Sequence, residues 1–299
     1  MKVLIAGSSG LIGTALTASL PQLGHQVTPL LRGSAPNGSG ALRWNPETGE
    51  IDASRLEGFD AVVHLGGRNL ASGRWTKALK ASIRESRVRS TQLLSAALAK
   101  LREPPKVFLS ASGVSIYGDR GAEILTESSS PGTGFLADVV REWEAATRPA
   151  TERGIRVVNL RLGLVLSAHG GALGKMLFPF KLGLGGVVGR GDQYWSWIAI
   201  EDTVRAILHA LATDTLSGPL NAVSPNPVTN REFTRALGAV LRRPTIFPLP
   251  AFVARMALGE MADEALLASA RVLPARLAAS GLKFAHEELS GALCSLLQK

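Results

Sequence analysis

The sequence has 299 residues, of which 45% are hydrophobic and 19% are charged, and its formal net charge is +9. This composition predicts a globular chain with a sizeable core and excludes a disordered one. The basic excess lies in both halves rather than in a tail, and aromatic residues make up only 5%, which argues against a nucleic-acid-binding module.

The sequence argues against a signal peptide, a membrane-spanning segment and a metal site. The single cysteine, Cys294, excludes a disulfide framework and a cysteine-based metal site. No apolar stretch approaches the roughly 20 residues that span a membrane. The first strand is expected to begin at Lys2, which leaves no room for a signal peptide. The five histidines lack ligand spacing, so we expect a cytoplasmic protein without a metal ion, a membrane segment or a nucleic-acid partner.

Apolar runs of strand length alternate with longer helical patterns through the first two thirds of the chain. The predicted strands are Lys2–Ala6, Gln26–Leu31, Ala61–Leu65, Lys106–Ser110, Arg156–Arg161 and Leu220–Val223. The predicted helices are Leu11–Leu23, Lys77–Lys100, Phe135–Arg153, Thr203–Ala212 and Asn230–Leu241. This order predicts an α/β fold, a Rossmann-type doubly wound parallel sheet with a smaller, mostly helical C-terminal lobe. We assign residues 1–166 and 200–225 to the Rossmann domain, and 167–199 and 226–299 to the lobe.

Three glycines, Gly7, Gly10 and Gly13, lie between the first predicted strand and the first helix. Gly7 permits a tight turn, Gly10 lets a pyrophosphate approach the backbone, and Gly13 lets the helix pack close to the strand. The helix N-terminus also offers free N–H groups to phosphate. This context predicts a dinucleotide-binding loop, although the glycines could serve only a tight turn. The expected cofactor contacts are Gly7, Ser9, Gly10, Leu11 and Ile12.

The end of the second predicted strand indicates which dinucleotide is bound. NAD sites place an acidic residue there for the ribose 2′-OH, whereas an arginine accommodates the 2′-phosphate of NADP. This chain has Arg32 and no acid at that point. Arg32 therefore predicts NADP(H); the alternative is a solvated arginine at a strand end.

The stretch His64-Leu65-Gly66-Gly67 follows the third predicted strand. Its small residues would let the backbone of Leu65, Gly66 and Gly67 pass along the cofactor, but an ordinary glycine turn is an equal alternative. We expect His64 to be a buried histidine at the strand end rather than a catalytic group.

Five basic residues share one face of the second predicted helix and the turn before it. They are Arg74, Lys77, Lys80, Arg84 and Arg87, at steps of three or four residues, and the helical spacing aligns them. The ends of this stripe could bind cofactor phosphate or an anionic substrate. The alternative is a solvated basic face.

Several motifs together resemble the extended short-chain dehydrogenase/reductase superfamily. They are GSSGLIG at the N-terminus, Arg32, HLGG at 64–67, SASGVSIYGDRG at 110–121 and SWIAIEDTVRAI at 196–207. More narrowly, the chain resembles the atypical "epimerase family protein" subgroup, which pairs an NAD-dependent epimerase/dehydratase-like domain with a C-terminal domain of unknown function; RVLPARLAASGLKF at 271–284 matches that domain. The resemblance implies a seven-stranded Rossmann core and NADPH binding, and it places Arg87 and Leu164 among the cofactor contacts.

The proton-transfer residues that the superfamily uses are missing. Its members pair a Tyr with a Lys four residues later, and the tyrosine passes the proton while hydride moves. Neither Tyr117 nor Tyr194 has such a lysine. At the expected position the sequence has Phe135 and Val139, which cannot transfer a proton.

Ser112 and Tyr117 are therefore the candidate catalytic residues, since they follow the strand where the superfamily's serine lies. Packing roles are the alternative for both. Two functions stay open at this point. One is an NADP-dependent oxidoreductase or epimerase-like enzyme acting on a carbonyl-containing or anionic small molecule; the other is a catalytically degenerate NADPH-binding sensor or structural protein. The oligomeric state is left open.

Overall fold

The computed structural model describes residues 1–33 and 40–298 of the chain. The strands are β1 (Lys2–Ala6), β2 (Gln26–Arg32), β3 (Leu42–Asn45), β4 (Glu50–Ile51), β5 (Ala61–His64), β6 (Val107–Gly113), β7 (Ile124–Leu125), β8 (Arg156–Leu162), β9 (Leu164–Ser167), β10 (Tyr194–Trp195), β11 (Trp197–Ala199), β12 (Gly218–Ala222), β13 (Val228–Thr229) and β14 (Arg271–Val272). The helices are α1 (Leu11–Gln22), α2 (Lys77–Ala99), α3 (Phe135–Ala145), α4 (Arg148–Glu152), α5 (Gly171–Lys181), α6 (Ile200–Ala212), α7 (Asn230–Leu241), α8 (Ala251–Leu258), α9 (Ala275–Ala279) and α10 (Leu289–Leu297).

A central sheet of eight strands has the order β12-β8-β6-β5-β1-β2-β3-β4. All neighbouring pairs are parallel except β3 and β4, which run antiparallel. The fold class predicted from the sequence is thus confirmed, with seven parallel strands and one short antiparallel strand at the edge. The strand order reverses between β1 and β5, so their carboxyl ends open onto the crevice where such sheets bind ligands.

Helices cover both faces of this sheet. One face packs Leu16 and Leu20 of α1 and Ile207 of α6 onto the sheet, whereas Leu94 and Leu98 of α2 cover the other. Burial on both sides explains why these strands are nearly continuous apolar runs rather than alternating ones.

A second hydrophobic cluster lies outside the sheet. It joins α5, α7, α10, β9, β10 and β11 through Leu173, Trp197, Phe233, Leu237 and Leu293, all of which are buried. Most of these residues fall within 167–199 and 226–299, the ranges that we assign to the smaller lobe. Two short pairings, β9 with β11 and β10 with β13, connect these segments.

The predicted helix Phe135–Arg153 is wrong in its continuity, because the structure divides it into α3 and α4. Pro149 lies in the first turn of α4, where its missing N–H needs no partner, and in the middle of a longer helix it would have broken the hydrogen-bond ladder. The Thr147 hydroxyl donates to the Glu144 carbonyl at 2.7 Å and helps to close α3.

Candidate functional site

The glycine loop joins β1 to α1 at the carboxyl end of the sheet. Gly7 has a φ of +85°, and a Cβ there would come within 2.8 Å of the Gly66 nitrogen. A Cβ on Gly13 would overlap the Gly7 carbonyl and come within 2.7 Å of the Ser8 Cα. Gly13 therefore lets α1 pack closely on the turn that follows β1, whereas the prediction was close packing on the strand itself.

The N-terminus of α1 has no side-chain cap. Gly10 is the N-cap residue and makes no side-chain hydrogen bond, and a Cβ there would meet only the Gly7 oxygen, at 3.4 Å. The first N–H groups of α1, at Leu11 and Ile12, therefore point from an open, positively polarised helix end. Such an end can bind the diphosphate of a dinucleotide.

Arg32 is exposed at the last position of β2, beside Trp44 of β3 in the strand register. Its charge contributes to lowering the pKa of His64, which places the guanidinium at the carboxyl ends of β2 and β5. This is the side of the glycine loop where the adenosine half of a dinucleotide lies in this fold.

His64 is fully buried at the end of β5. Its Nδ1 accepts a hydrogen bond from the Gly66 N–H at 3.3 Å, so Nε2 carries the proton toward the Ser90 hydroxyl at 2.9 Å. Burial, with a smaller contribution from Arg32, lowers the pKa of His64 to about 4. The side chain orders the turn that carries Gly66 and Gly67, as expected for a structural histidine.

This buried histidine predicts a loss of stability in mild acid. The unfolded chain binds a proton at His64 below its ordinary pKa of about 6.5, whereas the folded chain stays neutral until about 4, so stability falls as the pH drops through this window. We expect the free energy of unfolding to decrease by about 3 kcal/mol from this group alone between pH 7 and 4. Urea denaturation at several pH values in this range measures the effect. The free energy of unfolding should fall less steeply with decreasing pH for His64→Gln than for the wild type, and an equal pH dependence would contradict the assignment.

Arg87 lies on α2 with its guanidinium directed at Gly67, where a Cβ would come within 3.2 Å of the Arg87 Cζ. It donates to the Ile83 carbonyl at 3.1 Å and lies over the Trp143 ring at 5.2 Å. Burial lowers the pKa of Arg87 to about 10. Within the described residues it has no carboxylate partner, so this arginine is suited to bind an anion.

Ser112 and Tyr117 meet in one buried network, but they do not play equivalent parts in it. The Ser112 hydroxyl donates to Glu144 Oε1 at 2.6 Å, and Glu144 also binds Arg161 through both carboxylate oxygens at 2.8 and 2.9 Å. Arg161 Nη1 donates to the Tyr117 hydroxyl at 2.9 Å, and that hydroxyl donates to Asn221 Oδ1 at 2.8 Å.

The geometry does not favour Tyr117 as a proton-transfer group. Its side chain is fully buried, and its hydroxyl is already both donor and acceptor within the network. Burial raises the pKa of Tyr117, and the nearby Arg161 offsets this only in part. Tyr117 is not among the cavity-lining residues, whereas Ser112 is.

Arg161 and Glu144 hold this network together. Burial alone would lower the pKa of Arg161, but the hydrogen bonds and charge of Glu144 hold it above its ordinary value. Their side chains are only 8% and 15% exposed, so the pair is largely shielded from water. Sequence reasoning missed both residues; the available signal was a charged residue, Arg161, near the carboxyl end of the buried strand β8.

A cavity of about 1910 Å³ opens beyond the carboxyl ends of β5, β6 and β8. Of the predicted site residues, it is lined by Leu65, Gly66, Gly67, Arg87, Ser112 and Leu164. Gly7, Ser9, Gly10, Leu11, Ile12 and Arg32 lie outside its lining, although Leu11 contacts the space around Gly171 at the cavity wall. The cavity and the glycine loop therefore adjoin along α1 and α5.

Of the two α3 residues expected at the tyrosine and lysine positions, Val139 lines the cavity and Phe135 does not. Phe135 packs on Trp75 at 5.2 Å and lies under the Lys80 ammonium, outside the cavity lining. The α3 side chains that line the cavity are Leu136, Val139, Val140 and Trp143. Trp143 donates its indole N–H to Thr91 at 2.9 Å and so offers the cavity no proton.

Glu264, from the C-terminal part of the chain, caps α3. Its carboxylate accepts from the N–H groups of Phe135 and Leu136 at 3.0 and 3.1 Å. Gly134 makes room for it, because a Cβ there would come within 2.6 Å of Glu264 Oε1. Sequence reasoning missed this contact, since 129 residues separate Phe135 from Glu264.

The basic stripe on α2 does not act as one surface. Lys80 pairs with Glu260 at 2.7 Å, Arg84 pairs with Glu142 at 3.5 Å, and Arg87 turns into the cavity. Only Arg74 and Arg87 among the five line the cavity. In the described part of the chain no helix could cross a membrane, and no cluster of acidic, histidine or cysteine side chains could hold a metal ion.

The family comparisons agree with this geometry. The model of the NAD dependent epimerase/dehydratase family matches residues 3–222, and a domain of unknown function, DUF1731, matches residues 249–296. An epimerase family protein of Mycobacterium bovis is 48% identical over 97% of this chain and 96% of its own length.

Two solved structures share the architecture. The human epimerase family protein SDR39U1 (isoform 2), crystallised with NADPH, is 37% identical and superposes with a TM-score of 0.92 over 100% of this chain and 99% of its own. A nucleoside-diphosphate sugar epimerase from Corynebacterium glutamicum is also 37% identical, with a TM-score of 0.82 over 99% of this chain and 58% of that one. The chain described here belongs to the NAD dependent epimerase/dehydratase family and carries a C-terminal DUF1731 domain.

Proposed function

We propose that this protein is an NADP(H)-dependent oxidoreductase of the epimerase type that acts on a small molecule in the cytoplasm. The observation that carries the proposal is the uncapped N-terminus of α1, packed against the turn after β1 through Gly13 and followed in space by Arg32. The bare turn fits a diphosphate, and a guanidinium at the end of β2 fits the additional phosphate of NADP. The human relative was crystallised with NADPH, which supports the same cofactor here.

Particular residues would hold the two halves of the cofactor. The diphosphate would lie against Gly7, Ser9, Gly10, Leu11 and Ile12, with the 2′-phosphate on Arg32. The remainder would run past Leu65, Gly66, Gly67, Arg87 and Leu164 into the cavity. When bound, NADP(H) supplies the hydride donor or acceptor.

A preference for NADPH over NADH is the direct test of this assignment. We expect NADPH to raise the melting temperature by about 3 °C more than NADH at equal concentration, because one additional phosphate–arginine contact is worth about 1 kcal/mol. Arg32→Ala should remove most of this difference. Arg102→Ala, an exposed arginine near the opposite end of the sheet, is the matched control and should retain it. Equal shifts with both cofactors in the wild type would contradict the proposal.

Ser112 is the proposed contact for the reacting oxygen of the substrate. Its proton is directed at Glu144, so its oxygen lone pairs remain available to accept a hydrogen bond from a substrate hydroxyl in the cavity. In the oxidation direction the hydroxyl proton would pass to the Ser112 oxygen as the serine proton passes to Glu144. Reduction would reverse both transfers. Tyr117 would serve to position Arg161 rather than to exchange protons.

The apolar face of α3 favours a second candidate, an NADPH-binding sensor without turnover. Phe135 and Val139, the expected positions of the superfamily's tyrosine and lysine, cannot transfer a proton, and the α3 residues Leu136, Val139 and Val140 that line the cavity are apolar. The near-ultraviolet absorbance of NADPH separates the two functions. Oxidation of NADPH by a carbonyl compound that Ser112→Ala abolishes would support the enzyme, and stable absorbance with every class of carbonyl compound would support the sensor.

A further inference from the structure

We propose that the substrate is an amphiphile, a molecule with an extended apolar body and one anionic group, rather than a nucleotide sugar. This inference rests on the proposed function, because it assigns the occupant of the cavity beside the nicotinamide end of the cofactor. Three features of the described residues carry it: the walls of the cavity, its mouth and its charges.

Apolar side chains from two hydrophobic clusters line the cavity. The α3 residues Leu136, Val139, Val140 and Trp143 line it together with Met261, which packs in one cluster with Leu136. Met176, Phe180, Trp195 and Leu266 belong to a separate cluster and also line it. Burial of an apolar ligand against such walls is favourable by about 25 cal/mol for each Å² removed from water.

Two polar side chains among these apolar residues are already bonded within the protein. Gln193 is buried and donates to the carbonyls of Val188 and Leu266, at 3.0 and 3.1 Å. Ser196 is buried and donates to the Ala270 carbonyl at 2.7 Å. Because these donors are taken, this part of the wall suits an apolar chain better than a sugar hydroxyl.

The mouth of the cavity continues the apolar wall to the surface. Two segments form it, 182–189 and 244–250, and they are joined by backbone hydrogen bonds between Val187 and Leu249 at 2.8 Å and between Gly189 and Leu249 at 2.9 Å. Leu184 and Phe247 line the cavity and are also 55% and 54% exposed. Around them lie further exposed side chains: Phe178, Leu182, Ile246, Phe252 and Met256. This apolar rim would accommodate a chain longer than the cavity itself.

The carboxylates that line the cavity all have partners. Asp119 accepts from two backbone N–H groups and Glu264 caps α3, whereas Asp192 and Asp263 pair with arginines. Four cations at the cavity have no carboxylate partner within the described residues: Arg68, Arg74, Arg87 and Lys175. With Arg87 assigned to the cofactor, three positive charges remain.

These three cations belong to one loop and to the helix that meets it. Lys175 on α5 donates to the Ala71 carbonyl at 3.2 Å, in the loop that carries Arg68 and Arg74. Arg68 donates to the Ser82 hydroxyl at 3.1 Å, and the Arg74 guanidinium lies beside Gly259. Positive charge on this loop beside an apolar cavity is complementary to an anionic head group on an apolar body.

Titration of the NADPH-saturated protein with three probes tests this inference: decanoate, decanol and UDP-glucose. The fluorescence of Trp143 and Trp195, both at the cavity, reports binding. We expect saturable quenching by decanoate, binding of decanol that is about tenfold weaker because decanol lacks the carboxylate that the three cations attract, and no response to UDP-glucose. The triple variant Arg68→Met, Arg74→Met, Lys175→Met should bind decanoate and decanol equally.

Matched variants separate the rim from general surface effects. Phe247→Ser should weaken the binding of decanoate and of decanol by about tenfold each, because it removes an apolar side chain from the mouth of the cavity. Leu23→Ser, an exposed apolar residue that follows α1, and Lys181→Met both lie outside the cavity lining and should bind like the wild type.

Two outcomes would overturn the amphiphile while leaving the proposed function intact. One is binding of UDP-glucose more tightly than decanoate by a protein that NADPH stabilises; the other is a dimer that Phe247→Ser dissociates and that binds no decanoate, which would assign the rim to a second copy. Absence of any NADPH stabilisation would instead contradict the proposed function itself.

Discussion

Gly13→Ala is expected to destabilise the protein by about 3 kcal/mol or more, because the new methyl group would overlap backbone rather than a movable side chain. The Gly7 carbonyl and the Ser8 Cα both belong to the turn that we propose binds the cofactor diphosphate. Relief of the overlap requires α1 to move away from that turn, and this displaces the N–H groups of Leu11 and Ile12. Urea denaturation and NADPH titration should therefore both show the defect.

Two other glycines give the controls for this variant. Gly174 lies inside α5 with nothing within 4 Å of a Cβ, so Gly174→Ala should stabilise the protein by about 0.5–1 kcal/mol through helix propensity. Gly10→Ala meets only one atom, at 3.4 Å, and should leave stability nearly unchanged while it weakens NADPH binding about tenfold or more. Equal stability of the Gly13 and Gly10 variants would contradict the packing role of Gly13.

The parallel core could be predicted from the sequence because its strands are buried on both faces. Continuous runs such as Val3–Ala6 and Ala61–His64 are bounded by glycine or charged residues, and each lies within a residue or two of its predicted limits. The strands β3 and β4 were missed. They have four and two residues, lie at the sheet edge and alternate between exposed and buried, so they lack that signal.

The candidate site was predictable only where a local motif carries it. The glycine loop depends on residues near each other in sequence, and backbone sterics account for Gly7 and Gly13. The assignment of Arg32 to the 2′-phosphate stays a prediction. The partners of Ser112 are set by long-range packing: Glu144 comes from α3 and Arg161 from β8, 32 and 49 residues away. No spacing rule relates them. The same packing turned Leu136, not Phe135, toward the cavity, since one residue along a helix changes direction by about 100°.

Loss of Arg161 is the second large expected effect. Arg161→Met should destabilise the protein by about 3–5 kcal/mol, because it leaves the Glu144 carboxylate in a site shielded from water with the Ser112 hydroxyl as its one remaining side-chain donor. The Tyr117 hydroxyl also loses a donor, and so the network loses order on both sides of β8. The midpoint of urea denaturation measures the effect.

Two further variants test whether the unpaired buried charge of Glu144 causes the loss of stability in Arg161→Met. One breaks an exposed ion pair, and the other removes both buried charges. Arg148→Met breaks a pair whose side chains are 79% and 59% exposed, and it should cost only about 0.5 kcal/mol. Arg161→Met combined with Glu144→Leu removes both buried charges and should recover most of the stability lost by Arg161→Met alone, since the unpaired carboxylate carries most of the penalty. A double variant as unstable as the sum of its single variants would show that the two residues contribute through packing. In that case Ser112 would keep its position without Glu144, and the proton route from the cavity would have to begin at another group.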